Sequence, residues 1–151
     1  MTERIVLSRR RALAGAAAAA TAALAPTAGL AQAAGMDLTI IYVGAKDCGP
    51  CQVFKHQDFP QWAKSAFPQT VRFVEIDAPT TTVAYQARYW PSNVRFVLQQ
   101  VKVPIVPTFF LLDGRTIVKS GTGVGGWRNQ ILPLIPGMLS GEWFRGYQRL
   151  G

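Results

Sequence analysis

The most informative part of the chain reads Asp37-Leu-Thr-Ile-Ile-Tyr-Val-Gly-Ala-Lys-Asp-Cys-Gly-Pro-Cys51. Residues 38–43 are apolar or β-branched, a composition typical of a buried strand. A short break follows, and residues 52–66 predict a helix that Pro60 should kink. The buried side of this helix is expected to hold Val53, Phe54, Phe59 and Trp62. Cys48 and Cys51 therefore lie between a strand and the first turn of a helix.

This placement favours thiol chemistry at the first cysteine. The unpaired N–H groups and the positive end of the helix dipole stabilise a thiolate there, which lowers the pKa of Cys48. Cys51 lies one helical turn further on and can attack a mixed disulfide on Cys48, which releases the substrate. Gly49 permits a tight approach, and Pro50 fits the first helical turn, where a missing N–H costs nothing. The motif predicts a redox-active dithiol.

Three other uses of a Cys-x-x-Cys motif fit the chain less well. A four-ligand zinc site needs a second pair of ligands, but the chain has only two cysteines and one histidine. A structural disulfide across so short a loop would restrict the unfolded chain little. A haem attachment site needs His where Gln52 stands. We therefore predict no metal ligands and no cofactor besides the disulfide itself.

The remaining elements predict a mixed sheet. Strands are expected at residues 71–76, 105–112 and 115–119, with the hairpin signal Asp113-Gly114 between the last two. Residues 80–103 predict a helical insertion, in which Ser92-Asn93 caps a helix carrying Val94, Val97, Leu98 and Val101. A glycine-rich turn at 121–126 leads into a last helix at 127–139. The order of these elements predicts an α/β domain with helices on both faces of the sheet.

With these elements in place, the chain resembles the thioredoxin family from about residue 37 to residue 140. Cys48-Gly49-Pro50-Cys51 is the family's typical active-site tetrapeptide, and it follows the first core strand. Val106-Pro107-Thr108 matches the family's cis-proline loop and opens a later strand. The resemblance implies a thioredoxin fold of about four strands, with Cys48 as the nucleophile and Cys51 as the resolving thiol. It also implies that Pro107 is cis and lines a substrate groove beside Cys48.

The residue before the first cysteine departs from the family. Asp47 stands where thioredoxins usually have Trp. An acidic neighbour disfavours a thiolate and would raise the pKa of Cys48. The alternative is a solvated loop carboxylate with little effect, and the sequence leaves both open.

The family's buried acid and its companion Lys are also replaced, by Tyr42 and Phe73 respectively. The usual proton acceptor for Cys51 is therefore missing. Asp77 is expected to serve only a turn or a cap, and we assign no role to Glu75 or Lys46.

The segment between Asp77 and Pro107 is longer than a minimal thioredoxin allows, so the insertion should add surface near the groove. Its aromatic residues, Tyr85, Tyr89 and Trp90, are expected to form local core rather than a partner-binding face. His56 is expected to be a solvated helix residue.

Residues 1–33 predict a cleavable export signal, which leaves residues 34–151 as the domain. A basic start is followed by an Ala-rich uncharged stretch and by Ala31-Gln32-Ala33, which fits the rule for a cleavage site. Ser8-Arg-Arg-Arg-Ala-Leu13 resembles the twin-arginine export signal. We favour that route over the general secretory route and expect a bacterial periplasmic protein. A retained signal anchor or an Ala-rich soluble helix are the alternatives.

The formal charge of +8 does not indicate a nucleic-acid partner. Residues 1–33 carry four Arg and one Glu, so the remainder holds 12 basic and 7 acidic residues and a charge of +5. These charges are spread singly, without the basic and aromatic array that follows a phosphate backbone. We expect a monomer that does not bind nucleic acid. The tail residues Trp143, Phe144, Arg145, Tyr147 and Arg149 are expected to pack on the domain rather than on a lipid surface.

Together these features predict an exported thiol–disulfide oxidoreductase. Its partners would be protein thiols and disulfides, and a reducing role would need a membrane thiol electron donor, because the compartment is oxidising. Two other functions stay open: a non-enzymatic binding or chaperone module, which the replacement at Tyr42 would tolerate, and a periplasmic copper-handling protein.

Overall fold

The computed structural model describes residues 36–142. The predicted export signal at 1–33 and the aromatic tail at 143–151 lie outside the described residues, so both stay predictions. Within residues 36–142, no helix is long and apolar enough to cross a membrane.

Four strands form one mixed sheet in the order β2-β1-β3-β4. They are β1 (Leu38–Ala45), β2 (Arg72–Ala78), β3 (Thr108–Asp113) and β4 (Thr116–Thr122). Strand β1 pairs in parallel with β2 and antiparallel with β3, and β3 pairs antiparallel with β4. Every residue of β1 is buried, as expected for a central strand covered on both faces. This architecture confirms the predicted fold class.

The helical run after the cysteines is interrupted before Pro60. Helix α1 (Gly49–Val53) continues through a π-helical turn at Phe54–Asp58 into α2 (Phe59–Lys64). The N–H of Phe59 bonds to the carbonyl of Phe54, one residue wider than an α-helix allows. Pro60 has no N–H to give, so a wider turn just before it accommodates the proline without ending the helix.

The last helix repeats this arrangement and begins earlier than predicted. Helix α3 (Gly123–Gly126) leads through a π-helical turn at Trp127–Ile131 into α4 (Leu134–Leu139), and Pro133 follows the wide turn. The glycine-rich segment, predicted as a turn, already contains the start of this helix. A Cβ on Gly121 would lie 2.8 Å from the carbonyl oxygen of Gly126, so the two glycines bring α3 against β4.

The insertion contains no α-helix within 80–103, contrary to the prediction. It forms three short 3₁₀ helices, at Thr81–Val83, Ala87–Tyr89 and Arg95–Gln100. Val94 and Val97 are buried as expected, but three-residue spacing suits a 3₁₀ turn as well as an α-helix. Trp90 is 1% exposed and donates its ring N–H to the carbonyl of Ala84 at 2.9 Å, so it belongs to the local core.

Each face of the sheet carries its own core. One face packs Tyr42 and Phe109 against Phe54, Trp62 and Trp127 from the helices, and both cysteines belong to this cluster. The other face carries Ile41, Val43 and Ile76 beneath the insertion, with Trp90 and Val97 above them. The cysteine motif therefore sits on the helix-covered face, at the end of the buried central strand.

Candidate active site

Cys48 and Cys51 are joined by a disulfide at the start of α1. The sulfur atoms are 2.08 Å apart and the Cα atoms 5.2 Å apart. Cys48 is the N-cap of the helix, and its Sγ accepts a hydrogen bond of 3.2 Å from the backbone N–H of Cys51. Cys48 is 5% exposed and Cys51 is fully buried. The N–H that would stabilise a thiolate therefore points at the more exposed of the two cysteines.

The loop before Cys48 is held by hydrogen bonds on both sides. The N–H of Lys46 bonds to the carbonyl of Ala78 at 2.9 Å, and that of Cys48 to Ala45 at 3.3 Å. The carboxylate of Asp47 accepts a 2.7 Å hydrogen bond from the N–H of Thr81. Asp47 is thus an exposed residue with a definite structural partner in the insertion, which neither interpretation from the sequence included.

The peptide bond between Val106 and Pro107 is cis. The hydroxyl groups of Thr108 and Tyr85 both donate to the carbonyl of Ile105, at 2.7 Å and 2.6 Å. The carbonyl of Pro107 accepts the N–H of Gly123 at 2.7 Å, which ties the loop to the start of α3. The loop is therefore anchored to the insertion and to the last helix.

The cis-proline loop contacts the core cluster to which both cysteines belong. Val106 packs against the cluster that contains Cys48 and Cys51. Pro107 and Thr108 are buried, whereas Val103 and Ile105 in the approach to the loop are 63% and 47% exposed.

Tyr42 occupies a fully buried position where the resemblance would place an acid. Its ring packs between Phe54 and Phe109, with centroid distances of 4.8 Å and 5.3 Å. Burial, together with the charges of Asp77 and Glu75, raises the pKa of the Tyr42 hydroxyl above its ordinary value. The group therefore stays protonated at neutral pH and cannot act as the family's carboxylate does.

A second group of charges lies on the sheet face that carries Tyr42. Its central residue, Lys55, was not predicted from the sequence. The ammonium of Lys55 lies 2.9 Å from the carboxylate of Glu75 and 2.8 Å from that of Asp77. Burial lowers the pKa of Lys55, but the hydrogen bonds that its ammonium donates to the two carboxylates outweigh burial and leave that pKa raised.

The prediction that Asp77 serves a turn or a cap is wrong, because Asp77 is a half-buried residue within β2. The sequence did contain a signal for this charge group. Glu75 and Asp77 alternate along a predicted strand and so point to one face, and Lys55 lies one helical turn after Cys51.

The structure gives His56 no part in the site. His56 is exposed on the π-helical turn. Across residues 36–142, no three His, Cys, Asp or Glu side chains are grouped where they could hold a metal ion.

No family model matches the chain, and no curated protein matches it. Several solved thioredoxin structures are similar to it. Thioredoxin f2 of Chlamydomonas reinhardtii is 25% identical over 60% of this chain and 70% of that one, with a TM-score of 0.38. The thioredoxin of Malassezia sympodialis is 20% identical over 64% and 73%, with a TM-score of 0.46. The reduced periplasmic thioredoxin SoxS of Paracoccus pantotrophus is 14% identical over 68% and 96%, with a TM-score of 0.47.

The class of the protein follows from its own geometry. A four-stranded sheet in the order β2-β1-β3-β4 carries a Cys-x-x-Cys disulfide at the first helix after β1. A cis proline directly precedes β3. The chain has a thioredoxin-like fold in which a Cys-x-x-Cys pair at the start of a helix is joined as a disulfide.

Proposed function

We propose that the protein exchanges disulfides with protein partners through Cys48 and Cys51. One observation carries the proposal: the cysteine at the helix N-cap is the more exposed of a bonded pair, and it accepts the N–H of the other. Nucleophilic thiols need this combination of access and thiolate stabilisation. The partners are protein thiols and disulfides rather than small cofactors.

The reaction has two steps in the reducing direction. The thiolate of Cys48 attacks one sulfur of the partner's disulfide, which forms a mixed disulfide and releases the partner's other sulfur as a thiolate. The thiol of Cys51 then loses its proton and attacks the sulfur of Cys48. The partner leaves with both of its sulfurs reduced, and two electrons have passed from the Cys48–Cys51 dithiol, which ends as the disulfide.

We infer that Pro107, with Val106 and Thr108, lines the groove that receives the partner's chain. The support is the anchored cis-proline loop and the packing of Val106 against the core that holds the cysteines. Gly49 and Pro50 leave space on the other side, since a Cβ on Gly49 would meet nothing within 4 Å.

We further propose that the protein works as a reductant in the periplasm. The tetrapeptide Cys48-Gly-Pro-Cys51 resembles that of reducing thioredoxins, and the export signal at 1–33 supports the compartment. An oxidising compartment would leave the pair as a disulfide, so a membrane protein with donor thiols must re-reduce it. The twin-arginine pattern supports export by that route.

Insulin reduction by the purified protein tests the function. We expect turnover with a dithiol donor, none in Cys48→Ser, and a stable mixed disulfide with the substrate in Cys51→Ser. His56→Gln, an exposed change on the same helical run, is the control and should keep full activity. Equal turnover in Cys48→Ser would overturn the assignment.

A non-enzymatic binding module is the second candidate. Tyr42 in place of an acid and the small exposure of Cys48 favour it, because both would slow exchange. In that case the wild type and Cys48→Ser would bind unfolded or partner chains equally well, and neither would reduce insulin. Binding measured with both forms therefore separates the two functions.

A further inference from the structure

The insertion and the hairpin that follows it carry basic residues without acidic ones. Between Asp77 and Asp113 the sequence has three basic residues and no acid. From Gly114 to Gly141 it has three more basic residues and again no acid. An unbalanced charge of this kind attracts acidic groups of other molecules.

The arginines of the insertion are held by neutral groups rather than by carboxylates. Arg95 donates two hydrogen bonds to the carbonyl of Trp90, at 3.0 Å and 3.3 Å. The guanidinium of Arg88 lies 5.1 Å from the centroid of the Tyr89 ring. The ion pairs found among residues 36–142 all lie outside the stretch 78–112. The positive charge of the insertion is therefore not neutralised by salt bridges.

A groove of about 360 Å³ opens between the end of the insertion and the β3–β4 hairpin, and we call it the insertion groove. Its wall is residues 100–103, and its floor is Thr108, Phe110, Ser120 and Thr122. Thr108 pairs with Thr122 and Phe110 with Ser120, so the four side chains share one sheet face. Phe110 belongs to the core beneath the insertion, so this is the face away from the cysteines. The volume is within the range of about 300–1,000 Å³ that is typical of binding pockets.

The wall continues into an exposed segment at 102–105. Val103 and Ile105 are 63% and 47% exposed, which makes them the most exposed large apolar side chains within residues 36–142. The carbonyl of Ile105 accepts the hydroxyls of Tyr85 and Thr108, so the backbone is held while the side chains stay accessible. A segment that is already ordered loses little conformational entropy when a partner binds to it.

The cis-proline loop connects the insertion groove to the cysteine-bearing face. Residues 102–105 directly precede the cis bond between Val106 and Pro107, and Thr108 of the groove floor directly follows it. Val106 packs against both cores, the one that contains the cysteines and the one beneath the insertion. A partner that contacts this loop can therefore contact the groove as well.

The side chains of the insertion groove favour an acidic and apolar partner segment. Lys102 is exposed between Val101 and Val103, which matches a carboxylate flanked by apolar side chains. The exposed hydroxyls of Ser120 and Thr122 can donate to carboxylate or carbonyl oxygens.

Two other occupants match the insertion groove less well. The chain's own tail at 143–151 has two Arg and no acid, so Lys102 would repel it. A lipid surface would meet a concave groove with only Val103 and Ile105 strongly exposed beside it, whereas membrane-surface segments present a broad apolar face. An extended polypeptide fits such a groove better.

We propose that the insertion groove docks an extended acidic and apolar segment of the protein whose disulfide is exchanged, an inference that rests on the function proposed above. Docking raises the affinity for such partners, while Cys48 and Cys51 perform the exchange as described. A partner with a basic segment in the same place is repelled by Lys102, so the groove also selects against wrong partners.

Binding is tested first with a peptide that cannot react. A short synthetic peptide of Glu, Asp, Val and Leu, without cysteine, is titrated into the oxidised protein and followed by amide NMR shifts. We expect shifts at residues 100–103 and in β4, and roughly fivefold weaker binding to Lys102→Glu at low salt. Lys64→Glu is the matched control, because it reverses the charge of an exposed lysine on α2, and its Kd should equal that of the wild type.

The apolar part of the surface is tested with Val103→Ser. The variant should bind the same peptide roughly fivefold more weakly, because an exposed valine that the partner would cover is lost. Leu139→Ser, on α4, is the control, since Leu139 is also an exposed apolar side chain and lies outside the groove. Thermal unfolding checks that both variants stay folded.

Selection during exchange is tested with two disulfide-containing peptides. They differ only in the residues beside the disulfide, which are acidic and apolar in one peptide and have Lys in place of each acid in the other. The wild type should show a kcat/KM roughly tenfold higher for the acidic peptide at low salt, and this preference should shrink at about 0.5 M salt. Lys102→Glu should lose the preference, and Lys64→Glu should keep it.

The outcomes separate the docking surface from the redox function. Equal kcat/KM for the two peptides in the wild type, or an unchanged Kd in Lys102→Glu, would overturn the docking surface, while turnover of hydroxyethyl disulfide would still support the proposed function. Failure of the wild type to reduce any disulfide would overturn the function even if the unreactive peptide binds. Binding to phosphatidylglycerol vesicles that Lys102→Glu abolishes, or a dimer that Val103→Ser disrupts, would assign the groove to a lipid surface or a second copy and overturn the docking proposal.

Discussion

The carboxylate of Asp47 accepts a 2.7 Å hydrogen bond from the backbone N–H of Thr81. Asp47, the residue next to the proposed nucleophile Cys48, is thus attached to the first 3₁₀ turn of the insertion, 34 residues further along the chain. The contact fixes the active-site loop and places a negative charge beside Cys48. These two effects can be separated by mutation.

Asp47→Asn should lower the pKa of Cys48, because it removes the charge and keeps an oxygen that can accept the same hydrogen bond. Asp47→Ala should also lower that pKa, but it should reduce the melting temperature by a few degrees because the Thr81 N–H loses its partner. Thiolate absorbance against pH measures the first effect, and thermal unfolding the second. Identical melting curves for the Asn and Ala variants would contradict a structural role for the contact.

Gly44→Ala should destabilise the protein by about 1–3 kcal/mol, as overpacking of a dense core does. An added Cβ would collide with the Tyr42 hydroxyl and lie 2.5 Å from the Tyr42 Cζ atom. Urea unfolding measures the loss. Gly137→Ala is the matched control, since a Cβ there meets nothing within 4 Å and Ala favours the helix. Equal stabilities for the two variants would show that the close approach of Tyr42 to Gly44 does not limit the side chain at position 44.

Stability should fall at alkaline pH because of Tyr42 and Lys55. Both groups have a pKa that is higher in the folded state than in the unfolded chain. Above the ordinary pKa of about 10, the unfolded state releases these protons first, so the stability present at lower pH is lost as pH rises. Tyr42 alone would contribute a slope of up to about 1.4 kcal/mol per pH unit.

Urea unfolding from about pH 8 to about pH 11 measures this slope in the wild type and in Tyr42→Phe. The variant should show a shallower fall, because the Tyr42 hydroxyl no longer titrates. The same slope in both proteins would mean that Tyr42 ionises as easily in the fold as outside it.

The export signal should depend on the pair Arg9 and Arg10. Replacing both with Lys keeps the basic start but removes the twin-arginine pattern, so a twin-arginine substrate should stay unprocessed inside the cell. Cell fractionation and the mass of the mature chain report the result, with a start near Ala34 expected for the wild type. Arg4→Lys is the control. Continued export of the double variant would point to the general secretory route instead.

Local patterns were enough to place the strands and the cysteine motif. The buried run that became β1 and the Asp113-Gly114 hairpin depend on neighbouring residues, and each was found within a few positions of its true bounds. The helices of the insertion at 80–103 were harder to predict. Val94 and Val97 fit an α-helix and a 3₁₀ helix equally, and packing on the sheet, which the sequence does not show, selected the shorter turns.

The sequence by itself determined where the chemistry lies, because two cysteines three residues apart must share one helical turn wherever that helix packs. It also determined that a sheet with a buried central strand lies behind them, since hydrophobic runs of that length need cover on both faces. Only the tertiary structure decided what surrounds the cysteines. Asp47 with Thr81, Lys55 with Glu75 and Asp77, and Tyr42 beside Gly44 are contacts between residues of different elements. Such contacts depend on strand register and helix placement, and these are settled by the packing of the whole core rather than by any local pattern.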